Sequence, residues 1–371
     1  MSGAAERNGG PAPGAGRVAV AMSGGVDSSV AAALLVEQGY DVVGVHMKLN
    51  DLPDDQRQGK SCCSLDDSLD ARQVCAKLGI PFYIVDFIEP FRRWVMDDFV
   101  ATYAAGQTPN PCVMCNRHVK HAALMTKVRE FGCEFLATGH YARIRQNPET
   151  RAHEILKPRD RRKDQTYFLF GTPAEELPYL LFPLADYEKP AAREIAEGLK
   201  FVTWNKPDSQ EVCFVPKDYR DFLRAGRVEA RPGAFVDRDG RELGTHGGVA
   251  FYTVGQRRGL GLSSDRPLYV IALDARENRV VLGREEELYA TEMAVRDVNW
   301  LSGAEPPNPI EAVVKIRYAD AGTPARVAPS SGGGAAVTFA RPVRAITPGQ
   351  SAVFYEGDLL LGGGWIEERA R

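Results

Sequence analysis

Two stretches of this sequence place side chains and backbone groups where chemistry could occur. Ser23-Gly24-Gly25-Val26-Asp27-Ser28-Ser29 follows a short apolar run, Val18–Met22, and opens an Ala/Leu-rich segment. A Gly/Ser turn between strand and helix gathers backbone N–H groups with the free amides of the helix start, which makes an anion site. Ser23, Ser28 and Ser29 could add hydroxyl donors, while Asp27 would repel a phosphate unless a cation intervened, so Mg²⁺ is implied. The spacing GxxxxGK(S/T) is absent, which excludes a Walker loop. The bland alternative is a tight turn whose glycines only permit the geometry, and the serine density argues against it. The second stretch is Pro109-Asn110-Pro111-Cys112-Val113-Met114-Cys115-Asn116. Two prolines stiffen a loop just before a helix, so the cysteine pair falls at the helix N-terminus beside Arg117, His118 and Lys120, a setting that favours thiolate. The alternative is a pair of small core residues.

Basic residues recur in three places. Lys157, Arg159, Arg161, Arg162 and Lys163 are interrupted only by Pro158 and Asp160, and run into Asp164-Gln165-Thr166-Tyr167. Gln256-Arg257-Arg258-Gly259 is a second basic turn, and Arg317-Tyr318 pairs a cation with a ring. Such patches suit a splayed-out RNA base, although a charge run is as often a solvated face. His140 follows Gly139 at a strand end, where α/β sheets place ligands; a structural histidine is the alternative.

The elements that position these residues change character along the chain. From Arg17 to about Arg145, strands alternate with helical segments of 10–15 residues, implying parallel βαβ units. In the segment Ser64–Gly79, Ser64 reads as an N-cap and Gly79 as a stop. Beyond Lys189–Leu199, which looks helical, come short alternating runs with turn pairs: VDRDGREL, GGVAFYTVG, PLYVIALD and NRVVLG. More short strands follow from Thr291, with Pro329–Ala335 reading as a flexible Ser/Gly loop. The expected domains are a disordered tail (1–16), an α/β domain that carries the Gly/Ser loop and the cysteine pair (17–215), a central β-rich domain (216–290) and a C-terminal β-barrel (291–371).

A length of 371 residues allows two or three domains, and 44% hydrophobic content with a net charge of −3 excludes disorder for most of the chain. No apolar run is long enough to span a bilayer, so no membrane partner is expected. Seven cysteines, an odd number, and no secretory signal argue for a reducing, cytoplasmic setting. The small negative charge does not advertise nucleic acid, but an average hides local patches.

Ala21–Ser29 resembles the PP-loop of the ATP pyrophosphatases, which cleave ATP between its α- and β-phosphates and adenylate a carbonyl oxygen. Almost the whole chain is similar to the tRNA-specific 2-thiouridylases: AMSGGVDSS, the strand ending at Met47, TPNPCVMCNRHVK, ATGHYAR, KDQTYFLF, KPDSQEVCF, FYTVGQRRGLGL, KIRY and PGQSAVFYEGDLLLGGG occur in family order. The resemblance implies an α/β fold: an N-terminal open parallel, Rossmann-like PP-loop sheet, a small mostly-β central domain and a C-terminal β-barrel. It implies ATP-dependent 2-thiolation of the wobble uridine of tRNA, with Lys, Glu and Gln tRNAs as acceptors. ATP would be held by Ala21, Met22, Ser23, Gly24, Gly25, Val26, Asp27, Ser28, Met47 and Gly139, with Mg²⁺. Asn110, Pro111 and Cys112 would contact the target base, and Lys163, Asp164, Gln165, Arg317 and Tyr318 the tRNA. Cys115 would be the nucleophile, and Cys213 would carry persulfide sulfur from a donor protein, a cysteine desulfurase or sulfur relay. Many members have aspartate where Cys112 stands, so three thiols, Cys112, Cys115 and Cys213, could hold a 4Fe–4S cluster; metal-free persulfide chemistry is the preferred alternative. Cys62, Cys63, Cys75 and Cys133 are expected bystanders. A PP-loop ligase acting on a small metabolite, a non-catalytic nucleotide-binding module and a 2-thiocytidine synthetase are the competing functions.

Overall fold

A computed structural model describes residues 16–50, 65–208, 212–215, 218–225 and 227–369. The expected tail, Cys62, Cys63 and the Ser64 cap lie outside the described residues, apart from residue 16. The first unit is built on β1 (Arg17–Ala21), β2 (Asp41–Lys48), β3 (Phe82–Asp86) and β4 (Phe135–Ala137). The sheet is parallel, ordered β3-β2-β1-β4, and the two-residue strand Leu180–Leu181 completes it beside β4. Central β1 reads RVAVA with its middle buried on both faces, as a parallel strand covered by helices should.

Helix α1 (Val26–Glu37) packs between that sheet and the helix Lys189–Gly198, so it is buried nearly all round. Helix α2 (Leu65–Leu78) lies on β2, where Gly44 makes room for the Cys75 thiol. Burial pushes the Cys75 thiol up to about 12 and raises that of Cys133, as befits packing cysteines.

The central sheet has the order Tyr269–Asp274, Arg279–Gly283, Gly233–Val236, Glu242–His246. Its last hairpin turns at Gly240, with the Asp237 carboxylate accepting from the amides of Asp239 and Arg241. GGVAFYTVG is not a strand. Val249, Ala250 and Phe251 are buried in succession and form a tight helical turn, whereas a strand would alternate their faces.

The last unit closes. Strands Tyr289–Trp300, Gly334–Arg344, Thr323–Ser330, Ile310–Lys315, Ser351–Glu356 and Leu359–Arg369 neighbour one another in that order, and the last pairs back to the first through Val295 and Ile366. This six-stranded antiparallel barrel has no open edge. The loop expected over Pro329–Ala335 shrinks to residues 331–333, because Ser330 already pairs with Gly334 and positive-φ Gly332 and Gly333 make the turn.

The units share one core. Val95, Phe99 and Val119 of the first, Phe222 and Phe251 of the second, and Val353 and Trp365 of the barrel belong to a single buried cluster. The hairpin Arg143–Gln146/His153–Leu156 extends from the first unit and pairs with the barrel through Leu156 and Leu359. No helix among the described residues is long and apolar enough to cross a membrane.

Candidate active site

The nucleotide loop leaves β1 at its C-terminal end and enters α1 through Gly25, an N-cap with no side-chain cap bond, so the first amides of α1 face out of the helix. The loop braces itself: Ser23 N donates to Ser28 Oγ (3.2 Å), and Ser28 and Ser29 Oγ donate to the Gly25 carbonyl (3.2 and 2.8 Å). Ser29 also accepts from Thr203 Oγ1 and is fully buried, so its hydroxyl is structural rather than the expected extra donor. Gly24 sits at φ +73, and a Cβ there would lie 2.3 Å from the Asp67 carbonyl oxygen. Gly139, just beyond β4, packs against the start of α1; a Cβ would lie 2.7 Å from the Ser28 amide nitrogen. Met22 is buried and its amide bonds to Val45, while Met47 is half-buried near the end of β2.

Asp27 faces a cation supplied by the chain itself. The Lys189 ammonium sits 2.7 Å from both carboxylate oxygens and 2.8 Å from Asp208, and Tyr141 donates to Asp27 Oδ1 at 3.1 Å. Asp208 also meets Lys163 (2.7 Å) and Arg193 (3.0 Å). Burial pushes the Asp208 carboxyl up, but hydrogen bonds from Lys163 and Lys189 outweigh it and hold it down at about 2. A second lysine, Lys206, donates to the Gly24 carbonyl (3.0 Å) and pairs with Asp67 and Asp70 (2.6 and 2.7 Å). Residues 203–208 are therefore strapped to the nucleotide loop at three points. Sequence reasoning missed Lys189, Lys206, Asp67, Asp70 and Asp208 in these roles. Their spacing has no motif, since Lys189 reaches Asp27 and Lys206 reaches Asp67 and Asp70 from more than a hundred residues away, and Lys189 lies 19 residues from Asp208.

The cysteine pair opens a long helix. Pro111 is its first residue, Cys112 is exposed in that first turn, and Cys115 is buried where the helix widens into a π-type stretch, Cys115–Leu124. Cys115 belongs to the shared core, and half-buried Cys213 packs against that same cluster. Neighbouring Phe214 sets edge-to-face contacts with Phe91 (5.6 Å) and Phe99 (5.1 Å), which fixes the Cys213 turn beside the cysteine helix. The barrel holds the loop in front: Thr108 N donates to Pro348 O, Gln350 donates to the Pro109 carbonyl, and Asn110 Nδ2 donates to Ser351 Oγ at 3.1 Å. Asn110 and Pro111 are thus buried, and the Asn110 amide is partly committed to the barrel.

Among the described residues no three His, Cys, Asp or Glu side chains are grouped to hold a metal ion, so the cluster weighed as a possibility for Cys112, Cys115 and Cys213 is not shown.

The remaining expected residues divide. Asp164 is buried and accepts from Thr166 N and Oγ1; Gln165 accepts from Tyr141 N; Arg317 donates to the carbonyls of Arg344 and Ala345. These three shape loops. Lys163 pairs with Asp208, whereas Tyr318 is 41% exposed and lies against Phe168, 4.8 Å between ring centroids. Arg161 pairs with Asp358, while Arg162, Arg257 and Arg258 are exposed. His140 Nδ1 shares a 2.7 Å hydrogen bond with Thr138 Oγ1, and burial, then Lys120 and His121, keep its ring neutral.

The sequence profile described as the tRNA methyl transferase HUP domain matches residues 16–217, that of the tRNA methyl transferase PRC-barrel domain 220–284, and that of the aminomethyltransferase beta-barrel domain 290–366. A protein of Magnetococcus marinus named tRNA-specific 2-thiouridylase MnmA is 50% identical over 353 residues, covering 94% of this chain and 98% of the relative. The chain belongs to the tRNA-specific 2-thiouridylase family. Proteins of the same name from Carboxydothermus hydrogenoformans and Geobacter metallireducens are each 47% identical over 358 residues, covering 95% of this chain and 98% and 96% of theirs. This thiouridylase family is one of sulfur transfer to tRNA, and the thiols around the shared core suit that group better than the methyl group in the profile descriptions.

One consequence for this thiouridylase fold concerns Gly139. A methyl at position 139 must push the Ser28 amide aside, and hydrogen bonds to charged groups are worth about 1.5–3 kcal/mol each. Gly139→Ala is expected to weaken ATP binding roughly tenfold or more by calorimetric titration, with the thermal transition little changed.

Proposed function

We propose that this chain is a tRNA-uridine 2-sulfurtransferase that converts the wobble uridine of tRNA to 2-thiouridine, with AMP and pyrophosphate as the other products. The observation that carries the reading is the packing of Cys115 and Cys213 on one core cluster, with Thr203 and Lys206 tied to a nucleotide loop of PP type. A ligase acting on a small metabolite has no use for that pair of thiols.

ATP lies with its phosphates on the amides of residues 23–28 and the start of α1. Asp27, which Lys189 engages in this structure, is the carboxylate that would hold Mg²⁺ together with the substrate phosphates, and the ion would supply charge neutralisation there. The 2-oxygen of the flipped uridine attacks the α-phosphorus, and pyrophosphate leaves. This makes AMP the leaving group from C2.

Cys213 carries a persulfide delivered by a separate donor protein, a cysteine desulfurase or sulfur relay. Its terminal sulfur attacks C2 and AMP departs. The Cys115 thiolate then attacks the Cys213 sulfur, releasing thiolated tRNA and leaving a Cys115–Cys213 disulfide. A thiol reductant supplies two electrons to restore the pair. This sequence balances without an iron–sulfur cluster. Cys112, in the exposed first turn, faces the target base alongside Asn110 and Pro111. Lys, Glu and Gln tRNAs are the acceptors, and the enzyme works in the cytoplasm.

Nucleoside mass spectrometry of tRNA incubated with the protein, ATP and a cysteine desulfurase with cysteine as persulfide donor tests the reading. The expected product is 2-thiouridine, formed only with ATP. Pyrophosphate release that needs a small metabolite and ignores tRNA would replace the reading with the ligase.

A further inference from the structure

The helix that bears Cys112 and Cys115 also supports an aromatic stack that the reaction above does not use. Trp94 lies in the wide turn Arg92–Met96 of the neighbouring helical segment. Its ring sits on that of His118 with centroids 4.3 Å apart and planes inclined by 9°. The Arg93 guanidinium stands over the Trp94 ring, 5.0 Å from its centroid. The stack is not core: Trp94 is 38% exposed, and His118 and Arg117 are half-buried. Burial and then the charge of Arg117 push the His118 pKa down to about 4, so the imidazole is an uncharged ring at neutral pH.

Position gives the stack its meaning. His118 is one helical turn beyond Cys115 and two beyond exposed Cys112, so the stack flanks the end of the helix where the target base is taken up. The charge around it is positive. Arg92 is balanced by Glu89 and Asp97, whereas no carboxylate ion pair engages Arg93 or Arg117 among the described residues. A stack of indole and imidazole with one guanidinium over the indole and another beside the imidazole in sequence fits an unpaired nucleotide, whose base stacks while its phosphate meets the arginines. A protein partner would call for a wider apolar rim than one indole provides.

We propose that Trp94, His118, Arg93 and Arg117 form a stacking platform for an unpaired nucleotide of the substrate RNA next to the target uridine. This rests on tRNA being the substrate. The platform positions the RNA and takes no part in sulfur transfer.

The test uses the full chain, a tRNA transcript and an anticodon stem–loop RNA. Trp94→Ala is expected to weaken stem–loop binding and raise KM for tRNA by roughly tenfold, with kcat within about twofold and ATP affinity unchanged, since a base–aromatic stack is lost. Trp94→Phe, which keeps a ring, is expected to stay within about threefold of the wild type. Saturating stem–loop RNA is also expected to quench tryptophan fluorescence, and Trp94→Phe to remove part of that quench while still binding. This second readout does not depend on how well the alanine variant folds. Unchanged KM and affinity in a folded Trp94→Ala protein, or identical quenching in the wild type and Trp94→Phe, would overturn the platform. Failure of the wild type to bind or thiolate any tRNA would instead remove the tRNA reading, and the platform with it.

Discussion

Cys213→Ser protein is expected to form 2-thiouridine at least about a thousandfold more slowly than the wild type, while tRNA-dependent pyrophosphate release from ATP continues. The reasoning is local. Serine has nearly the volume of cysteine, and Cys213 is half-buried beside Phe214, whose ring contacts with Phe91 and Phe99 do not involve the thiol. The nucleotide loop, held by Thr203 and Lys206, is equally untouched. What disappears is the atom that can carry a second sulfur. Cys115→Ser should fail at the later step, with the thiolated uridine left disulfide-linked to Cys213 and not released. Mass spectrometry of the tRNA nucleosides and of the intact protein, with a pyrophosphate assay in parallel, separates the two. Wild-type levels of 2-thiouridine from either variant would remove that cysteine from the sulfur path.

The second large effect is on stability. The Lys189 side chain is 9% exposed and its ammonium bridges Asp27 and Asp208, which are themselves 32% and 25% exposed. Lys189→Met leaves two carboxylates facing each other with one counter-charge removed. Breaking a fully buried pair costs ~3–5 kcal/mol, and the partial exposure of both aspartates reduces this to about 2–3 kcal/mol. The first thermal transition should fall by roughly 4–10 °C. The effect has a definite pH dependence. The Asp208 carboxyl is held at about 2 in the folded protein, below its value in an unfolded chain of about 3.9. Its stabilisation is therefore complete above about pH 4 and is lost as the pH falls towards 2. The gap in melting temperature between wild type and Lys189→Met should be widest near neutral pH and shrink below pH 4. A gap that stays constant across that range would show that the Asp27–Lys189–Asp208 link contributes little.

Much of the site was legible in the order of residues because its parts are local. Ser23–Ser29 is a turn between a strand and a helix, and the backbone amides that make the anion site lie within seven residues. The same holds for Pro111 at the first turn of the cysteine helix. The alternation of strands and helices up to β4 and the later run of short strands likewise follow from composition and period within short windows.

One misreading has a clear physical cause. GGVAFYTVG has strand-like residues, yet its consecutive side chains are all drawn into the core, and only neighbouring elements could dictate that. Asp164, Gln165 and Arg317 are polar residues in a basic stretch or beside a ring, and they look like RNA contacts. In the fold Asp164 accepts from Thr166 in its own turn, Gln165 accepts from the Tyr141 amide, and Arg317 donates to the carbonyls of Arg344 and Ala345. Trp94 carried no signal, because its partner lies 24 residues on in a different helical segment.

The sequence by itself determined the chemical vocabulary: an amide-rich loop for phosphate, a cysteine pair at a helix start, a third cysteine downstream, and the family to which the chain belongs. Those are properties of residue type and near neighbours, where backbone geometry and dipoles act within a turn or two. Only the tertiary structure decided that Cys115 and Cys213 pack on one core, that the barrel clamps the loop ahead of Cys112, and that Lys189 and Lys206 tie residues 203–208 to the nucleotide loop. Each of those joins groups far apart in the chain. Hydrogen bonds and ion pairs act over a few ångströms, so they exist only after burial of the shared core has brought the three units together.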